Sequence, residues 1–279
     1  MPVATRKSFY DVVTAAVADI IQYGFDSEER VNRWLERIDA AARASLIPEA
    51  QMVEILRTTL ARTFRRATAL PHLKRIHQGV STFTLANVKP KLRAELQRHI
   101  MASAQLIKLN RMEMIAQTKR RFAGWASSIP PGGTEVAKRA EVKDTIRRGM
   151  SGLSFVERRC LTDQGLKLVS SINSIIAADG GAIAMRWHHV HERGGGYTPR
   201  PEHVARDKKV YLIRDSWAHA RGLVKPGPAG YLDQITQPAE EVSCRCSGQF
   251  LYSVGALPED MVTAKGREQL AAAQKTMAA

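Results

Sequence analysis

The chain has 279 residues, enough for one large domain or two smaller ones, and 44% of them are hydrophobic, which is sufficient for a core. No run of 18 apolar residues occurs and no apolar stretch follows the first eight residues, so neither a membrane span nor a secretion signal is predicted. Three cysteines do not make a disulfide framework and favour a reducing compartment, while a net charge of +15 favours acidic partners.

Amphipathic helices are predicted through the first two thirds of the chain. Apolar residues from Phe9 to Ile21 recur at spacings of three and four, and the stretches 31–42 and 52–64 repeat this pattern. A long helix is predicted from Pro90, a linker at residues 127–133 because of its Ser, Pro and Gly content, and a further helix pair up to Gly180.

The positive charge is concentrated within these helices. Between Arg62 and Arg121, fourteen lysines and arginines are opposed only by Glu95 and Glu113. Such an excess favours binding of DNA or an acidic protein surface, and the alternative is a solvated helical face that serves solubility. The residues predicted to bind the anionic partner are Arg62, Arg65, Arg66, Lys74, Arg75, Lys108, Arg111, Lys119, Arg120 and Arg121.

The pattern changes after Gly181, where turn residues separate short β-prone runs such as residues 210–213 and 250–254. Trp187 and Trp217 are predicted to anchor the core of this part. The predicted fold is α+β, with a predominantly α-helical N-terminal region followed by a small α+β domain with short strands and long loops. The predicted segments are a basic helical region (1–130), a helical connector (131–180), the α+β domain (181–256) and a helical tail (257–279).

Zinc is the first chemistry that this domain suggests. Two thiolates at Cys244 and Cys246, with His203 and one of His188, His189 or His191, would give four ligands of the types that zinc prefers. The predicted set is His188, His203, Cys244 and Cys246, and it requires a turn at Arg245 because alternate residues of a strand stand too far apart. The alternative is that both cysteines are small buried residues and the histidines bond to carbonyls.

A zinc- or metal-dependent nuclease acting on DNA is the enzymatic alternative. Histidine-rich turns, Asp207 and a basic helical region suit phosphodiester cleavage superficially. However, Asp207, Asp215 and Asp233 lack the spacing that would place a metal and a water. No phosphate-binding loop, nucleophile elbow or dinucleotide motif occurs either, so no catalytic residue and no enzyme activity are predicted.

Residues 180–255 resemble the C-terminal domain of phage Mu F-like minor head proteins, also called head morphogenesis proteins. The shared order is a strand led by Trp187, a turn with His203 and Asp207, and a loop from Pro238 into Ser243-Cys244-Arg245-Cys246, which the family typically reads Asn-Cys-Arg-Cys. The Cys-x-x-Cys that many members carry near the first strand is missing here.

The resemblance implies a bacteriophage structural protein. Such a minor head protein enters the virion in few copies near the portal during head morphogenesis, and it contacts double-stranded DNA during packaging or ejection. The implied partners are the portal and major head proteins, and the implied locations are the head interior or portal vertex and, during assembly, the host cytoplasm.

Overall fold

The computed structural model describes residues 8–134, 139–190 and 199–278. Its strands are β1 (Ala184–His188), β2 (Val210–Leu212) and β3 (Ser247–Leu251). Its α-helices are α1 (Phe9–Tyr23), α2 (Glu28–Ser45), α3 (Glu49–Ala67), α4 (Leu70–Ile76), α5 (Thr82–Asn87), α6 (Lys89–Ala126), α7 (Arg139–Ser151), α8 (Leu153–Asp179), α9 (Pro201–Ala205), α10 (Trp217–Ala220) and α11 (Ala264–Ala278). Long helices followed by one small antiparallel sheet confirm the predicted α+β class.

The chain divides into two compact units, and each is built from two separate stretches. The first unit comprises Met1–Leu56 and Ala102–Cys160, and the second comprises Arg57–Met101 and Leu161–Ala279. The helices α3, α6 and α8 each begin in one unit and end in the other. The boundaries between the units therefore fall inside helices. The four segments predicted from the sequence have their boundaries elsewhere, where turn residues cluster.

The first unit is a helical core formed around α1. This helix begins with a capping box, in which Ser8 accepts from the Asp11 N–H and Asp11 accepts from the Ser8 N–H. Its apolar stripe packs against α2 and α7, as the spacing predicts. The core of this unit includes Val13, Val17, Ile20, Ile38, Ile115, Phe122 and Ile146.

Residues 127–133, the linker predicted from their composition, follow the end of α6 as non-helical backbone. They pack against the end of α1, because the Phe25 N–H donates to the Ile129 carbonyl (3.2 Å) and the Gly132 N–H donates to the Tyr23 carbonyl (3.0 Å). Gly24 makes this approach possible with a φ of 75°, since a Cβ there would lie 1.8 Å from the carbonyl oxygen of Pro130.

The second unit contains a sheet with the strand order β2-β1-β3, in which both pairs are antiparallel. Side chains alternate between its two faces. Ala184, Leu212 and Leu251 enter one core cluster, whereas Met185, Trp187, Tyr211 and Phe250 enter another that also contains Cys244 and Cys246. A separate helical cluster in this unit includes Leu60, Leu73, Leu92, Leu168, Ile172 and Ile176.

The two tryptophan predictions for this part of the chain have different outcomes. Trp187 is fully buried, which confirms its assignment as a core anchor, but the assignment of Trp217 is wrong because this residue is 40% exposed. The Trp217 ring lies at the start of the four-residue helix α10, and its Nε1 donates to the carbonyl of Gly181 at 3.1 Å.

The tail helix α11 is docked at its beginning and exposed further on. The Thr263 side chain accepts from the Gly266 N–H, and the backbone at Leu223 lies so close that a Cβ on Gly266 would clash with its carbonyl oxygen. Residues 271–276 are exposed. No helix in the described part of the chain combines the length and apolar character needed to cross a membrane.

The Gly24 contact gives a stability prediction. Gly24→Ala should lower the free energy of unfolding by about 1–2 kcal/mol for a left-handed alanine and by about 1–3 kcal/mol more for the clash with Pro130. Gly132→Ala is the matched control, because Gly132 has a φ of 88° but no atom within 4 Å of the added Cβ. Chemical denaturation of both variants checks this, and equal losses would contradict the packing account.

Candidate functional site

His203 is the centre of a buried cluster in the second unit. It lies on the short helix α9, which begins with Pro201 and brings the side chain against the ring of Trp187. The His203 side chain is fully buried. Its Nδ1 lies 3.5 Å from the Sγ of Cys244 and 3.7 Å from the Sγ of Cys246. The structure thus brings together three of the four residues predicted as metal ligands.

The two cysteines lie on irregular backbone just before β3. The turn that the sequence requires falls at residues 241–244 rather than at Arg245, because Ser243 has a left-handed φ of 61° and the Cys244 N–H donates to the Glu241 carbonyl. Asp163 on α8 stabilises this turn by accepting from the Ser243 N–H at 2.6 Å. Both thiols consequently face His203 instead of alternating across a strand.

The choice of His188 as the remaining ligand is wrong. His188 does not belong to the group of metal-capable residues around the thiols; its Nε2 lies 3.4 Å from Gln249 Oε1, and it lines an open groove of about 940 Å³. His189 instead places its Nδ1 3.5 Å from the Sγ of Cys246 and is only 7% exposed. Strand alternation could have identified it, because His189 shares the face of the buried Trp187. His191 lies outside the described residues.

The far side of the His203 ring contacts a carboxylate. Its Nε2 lies 3.3 Å from Glu241 Oε1, while Arg200 Nε lies 2.7 Å from the other oxygen and Thr236 donates to Oε1. Desolvation raises the pKa of Glu241, but hydrogen bonds from His203 and Thr236 and the charge of Arg200 outweigh it, and the pKa falls below its ordinary value. Glu241 is therefore a charged group that orients His203.

The two thiols influence each other's ionisation. A hydrogen bond from Cys246 lowers the pKa of the Cys244 thiol well below its ordinary value, and the same bond, with burial, raises the pKa of Cys246. The sulfur of Cys244 faces the Nδ1 of His203. His203, Cys244 and Cys246, with ligand atoms all within 4.8 Å of one another, could hold a metal ion, and Glu202, His203 and Glu241 form a second, more exposed grouping.

No protein-family model, curated protein sequence or solved structure matches this chain.

Five of the ten cations predicted to bind an anionic partner lie in the first unit, and all five have partners there. Arg111 is buried, where it donates to Glu157 (2.7 Å) and to the Ile47 carbonyl (2.9 Å), so its assignment to a binding surface is wrong. The other four are at the surface but engaged: Lys108 with Glu49, Lys119 with Asp39, Arg120 with Glu113 and Arg121 with the Thr145 carbonyl.

The other five cations lie in the second unit and are exposed. Arg62, Arg65 and Arg66 lie on the last turns of α3, and Lys74 and Arg75 lie on the last turn of α4. Arg75 approaches His72 at 3.5 Å. Within the described ranges, Arg62, Arg65, Arg66 and Lys74 make no ion pair or side-chain hydrogen bond. Of the ten predicted residues, these four are exposed charges without a partner in the described part of the chain.

The contact between Asp163 and Ser243 predicts how strongly α8 supports the cysteine turn. Asp163→Ala should lower the free energy of unfolding by about 1–3 kcal/mol, because the Ser243 N–H loses a buried charged acceptor. Asp144→Ala, which removes a 65% exposed carboxylate 3.7 Å from Arg147, should change it by less than about 1 kcal/mol. Urea denaturation monitored by circular dichroism checks both, and similar losses would contradict a special role for Asp163.

Proposed function

We propose that the chain is a bacteriophage structural protein, a minor head protein associated with the portal during head morphogenesis. The observation that supports this is the convergence of the motif residues. Trp187, His203, Cys244 and Cys246 carry the resemblance to Mu F-like proteins, and although they span about sixty residues of sequence they belong to one buried cluster. The motif thus acts as the structural support of the C-terminal part.

The cluster suits a brace better than a catalytic site. A nuclease needs carboxylates that hold a metal while leaving a coordination position open for water. Glu241 is already engaged by Arg200, Thr236 and His203, and Asp207 accepts the backbone N–H of His189 at 2.8 Å. The thiols that dominate the cluster are soft ligands, unlike the oxygen ligands that Mg²⁺ prefers.

The metal that we assign to this brace is zinc. Thiolate and imidazole donors are the usual ligands of structural zinc, and the binding energy of such an ion stabilises the fold directly. The cluster joins α9, the end of β1 and the turn before β3. An ion bound there would hold these three segments together.

Contact with double-stranded DNA is assigned to the exposed cations of the second unit. Unpaired surface arginines and lysines attract phosphates without reading sequence, and each neutralised phosphate releases a counterion. Arg62, Arg65, Arg66 and Lys74 meet this description. By contrast, groups of the first unit engage Lys108, Lys119, Arg120 and Arg121.

DNA binding should therefore depend more on the exposed cations of the second unit than on the engaged cations of the first unit. Changing Arg62, Arg65, Arg66 and Lys74 to Gln should weaken binding to duplex DNA and flatten the slope of log affinity against log salt by about 3–4, because each neutralised phosphate contributes about 0.9 to that slope. Changing Lys108, Lys119, Arg120 and Arg121 to Gln removes the same charge and is the control. Fluorescence anisotropy across a salt series measures both slopes. Equal flattening would mean that total charge, not this surface, determines binding.

The assignment to the virion is tested on particles. Density-gradient-purified phage heads should contain the full-length chain in few copies, quantified by mass spectrometry against the major head protein. Absence from the particles would overturn the proposal. The enzymatic alternative makes a different prediction: divalent-dependent plasmid nicking by the pure protein, lost in a His203→Ala variant that remains folded. We expect no nicking by either protein.

A further inference from the structure

We infer that His189, His203, Cys244 and Cys246 form a closed, four-coordinate zinc centre in which His189 supplies the fourth ligand. This rests on the proposed role of the cluster as a brace and specifies its ligand set. The sequence alone favours His188 at this position, and the triad of His203 and the two cysteines is incomplete for tetrahedral zinc.

Three of the separations between donor atoms match those of a zinc tetrahedron. With Zn–S bonds of about 2.3 Å and Zn–N bonds of about 2.0–2.1 Å, tetrahedral angles place each nitrogen about 3.5–3.6 Å from each sulfur. The described cluster has N···S separations of 3.5 Å for His203 with Cys244, 3.7 Å for His203 with Cys246, and 3.5 Å for His189 with Cys246. Three of the six edges of the expected tetrahedron are therefore present. His189 lies outside the group of His203, Cys244 and Cys246, whose ligand atoms are all within 4.8 Å of one another, and a bound ion would draw it towards His203.

Ordinary hydrogen bonds do not explain this convergence. The Nδ1 of an imidazole carries at most one hydrogen, yet that of His203 faces two sulfurs. The Sγ of Cys246 likewise faces nitrogens from two imidazoles. The ligand atoms of His203, Cys244 and Cys246 all lie within 4.8 Å of one another, and His189 approaches this group through the Sγ of Cys246.

Two carboxylates outside the ligand set support the two histidines. The Nε2 of His203 lies 3.3 Å from Glu241 Oε1, so its Nδ1 is the ring nitrogen left to face the thiols, and Arg200 holds Glu241 in place. Asp207 accepts from the backbone N–H of His189 and fixes that residue just after β1. A carboxylate behind a ligating histidine is the usual outer shell of a zinc site.

The burial of the ligands indicates a structural site rather than a catalytic one. Cys244 and His203 are 0% exposed, Cys246 is 5% exposed and His189 is 7% exposed. Four protein ligands with so little access to solvent leave no coordination position for a water or a substrate, which a catalytic zinc requires.

The test is the zinc content of the purified full-length chain. Elemental analysis should find one zinc ion per chain. His189→Ala should weaken zinc retention against a competing chelator by at least tenfold, whereas His188→Ala, one residue away and outside the cluster, should retain zinc like the parent. Cys246→Ser should lose zinc, and Cys160→Ala should keep it because Cys160 lies in the first unit. Glu241→Gln should weaken retention by about 10–100-fold as an outer-shell change.

A second measurement covers variants that do not fold. Replacing zinc by Co²⁺ in the parent protein should give the intense visible bands of a tetrahedral site and a sulfur-to-metal charge-transfer band. A zinc-free parent whose melting temperature is unchanged by added zinc would overturn the inference. So would retention lost in His188→Ala but kept in His189→Ala. Both outcomes leave the detection of the chain in phage heads unaffected, so failure of the zinc centre and failure of the virion assignment are distinguishable.

Discussion

The C-terminal part of this protein depends on the constraints that act on one imidazole, that of His203. One ring nitrogen faces the thiols of Cys244 and Cys246, the other faces Glu241, and the ring meets the edge of Trp187. These contacts connect a short helix, a strand and an irregular turn that share few regular hydrogen bonds. Since a small sheet of three strands buries little apolar surface, a central polar junction of this kind determines how its long loops are arranged.

Much of this junction is predictable from residue types and order, but its geometry is not. Cys244, Cys246 and His203 could be grouped because few residue types serve as metal ligands. To choose between His188 and His189, one must know which alternate residues of the strand face the core, and the sequence does not give the strand's boundaries. The turn before Cys244 depends on Asp163, which lies some eighty residues earlier in the sequence. The left-handed backbone at Ser243 was also not predictable from the residue itself, since asparagine, aspartate and glycine adopt that conformation more readily than serine.

In the helical part, too, local sequence predicts the helices but not the contacts between distant residues. The stripe of α1 and the length of α6 follow from apolar spacing and from Pro90. The burial of Arg111 does not, because its partners Glu157 and Ile47 come from distant parts of the sequence. Counting charges along the chain therefore overestimates the basic surface, since local sequence does not reveal which cations have partners within the fold.

The discontinuous units also have a consequence for synthesis on the ribosome. Residues 57–101 belong to the second unit, yet the rest of that unit begins only at Leu161. Until α8 emerges, Leu60, Leu92 and Ile100 lack the Leu168, Ile172 and Ile176 side chains with which they form a core. The nascent chain thus carries exposed apolar helices while residues 102–160 of the first unit are being made, which is a state that binds chaperones or aggregates. Slow translation through residues 102–160 would prolong that exposure, so codon usage in this stretch bears directly on the yield of folded protein.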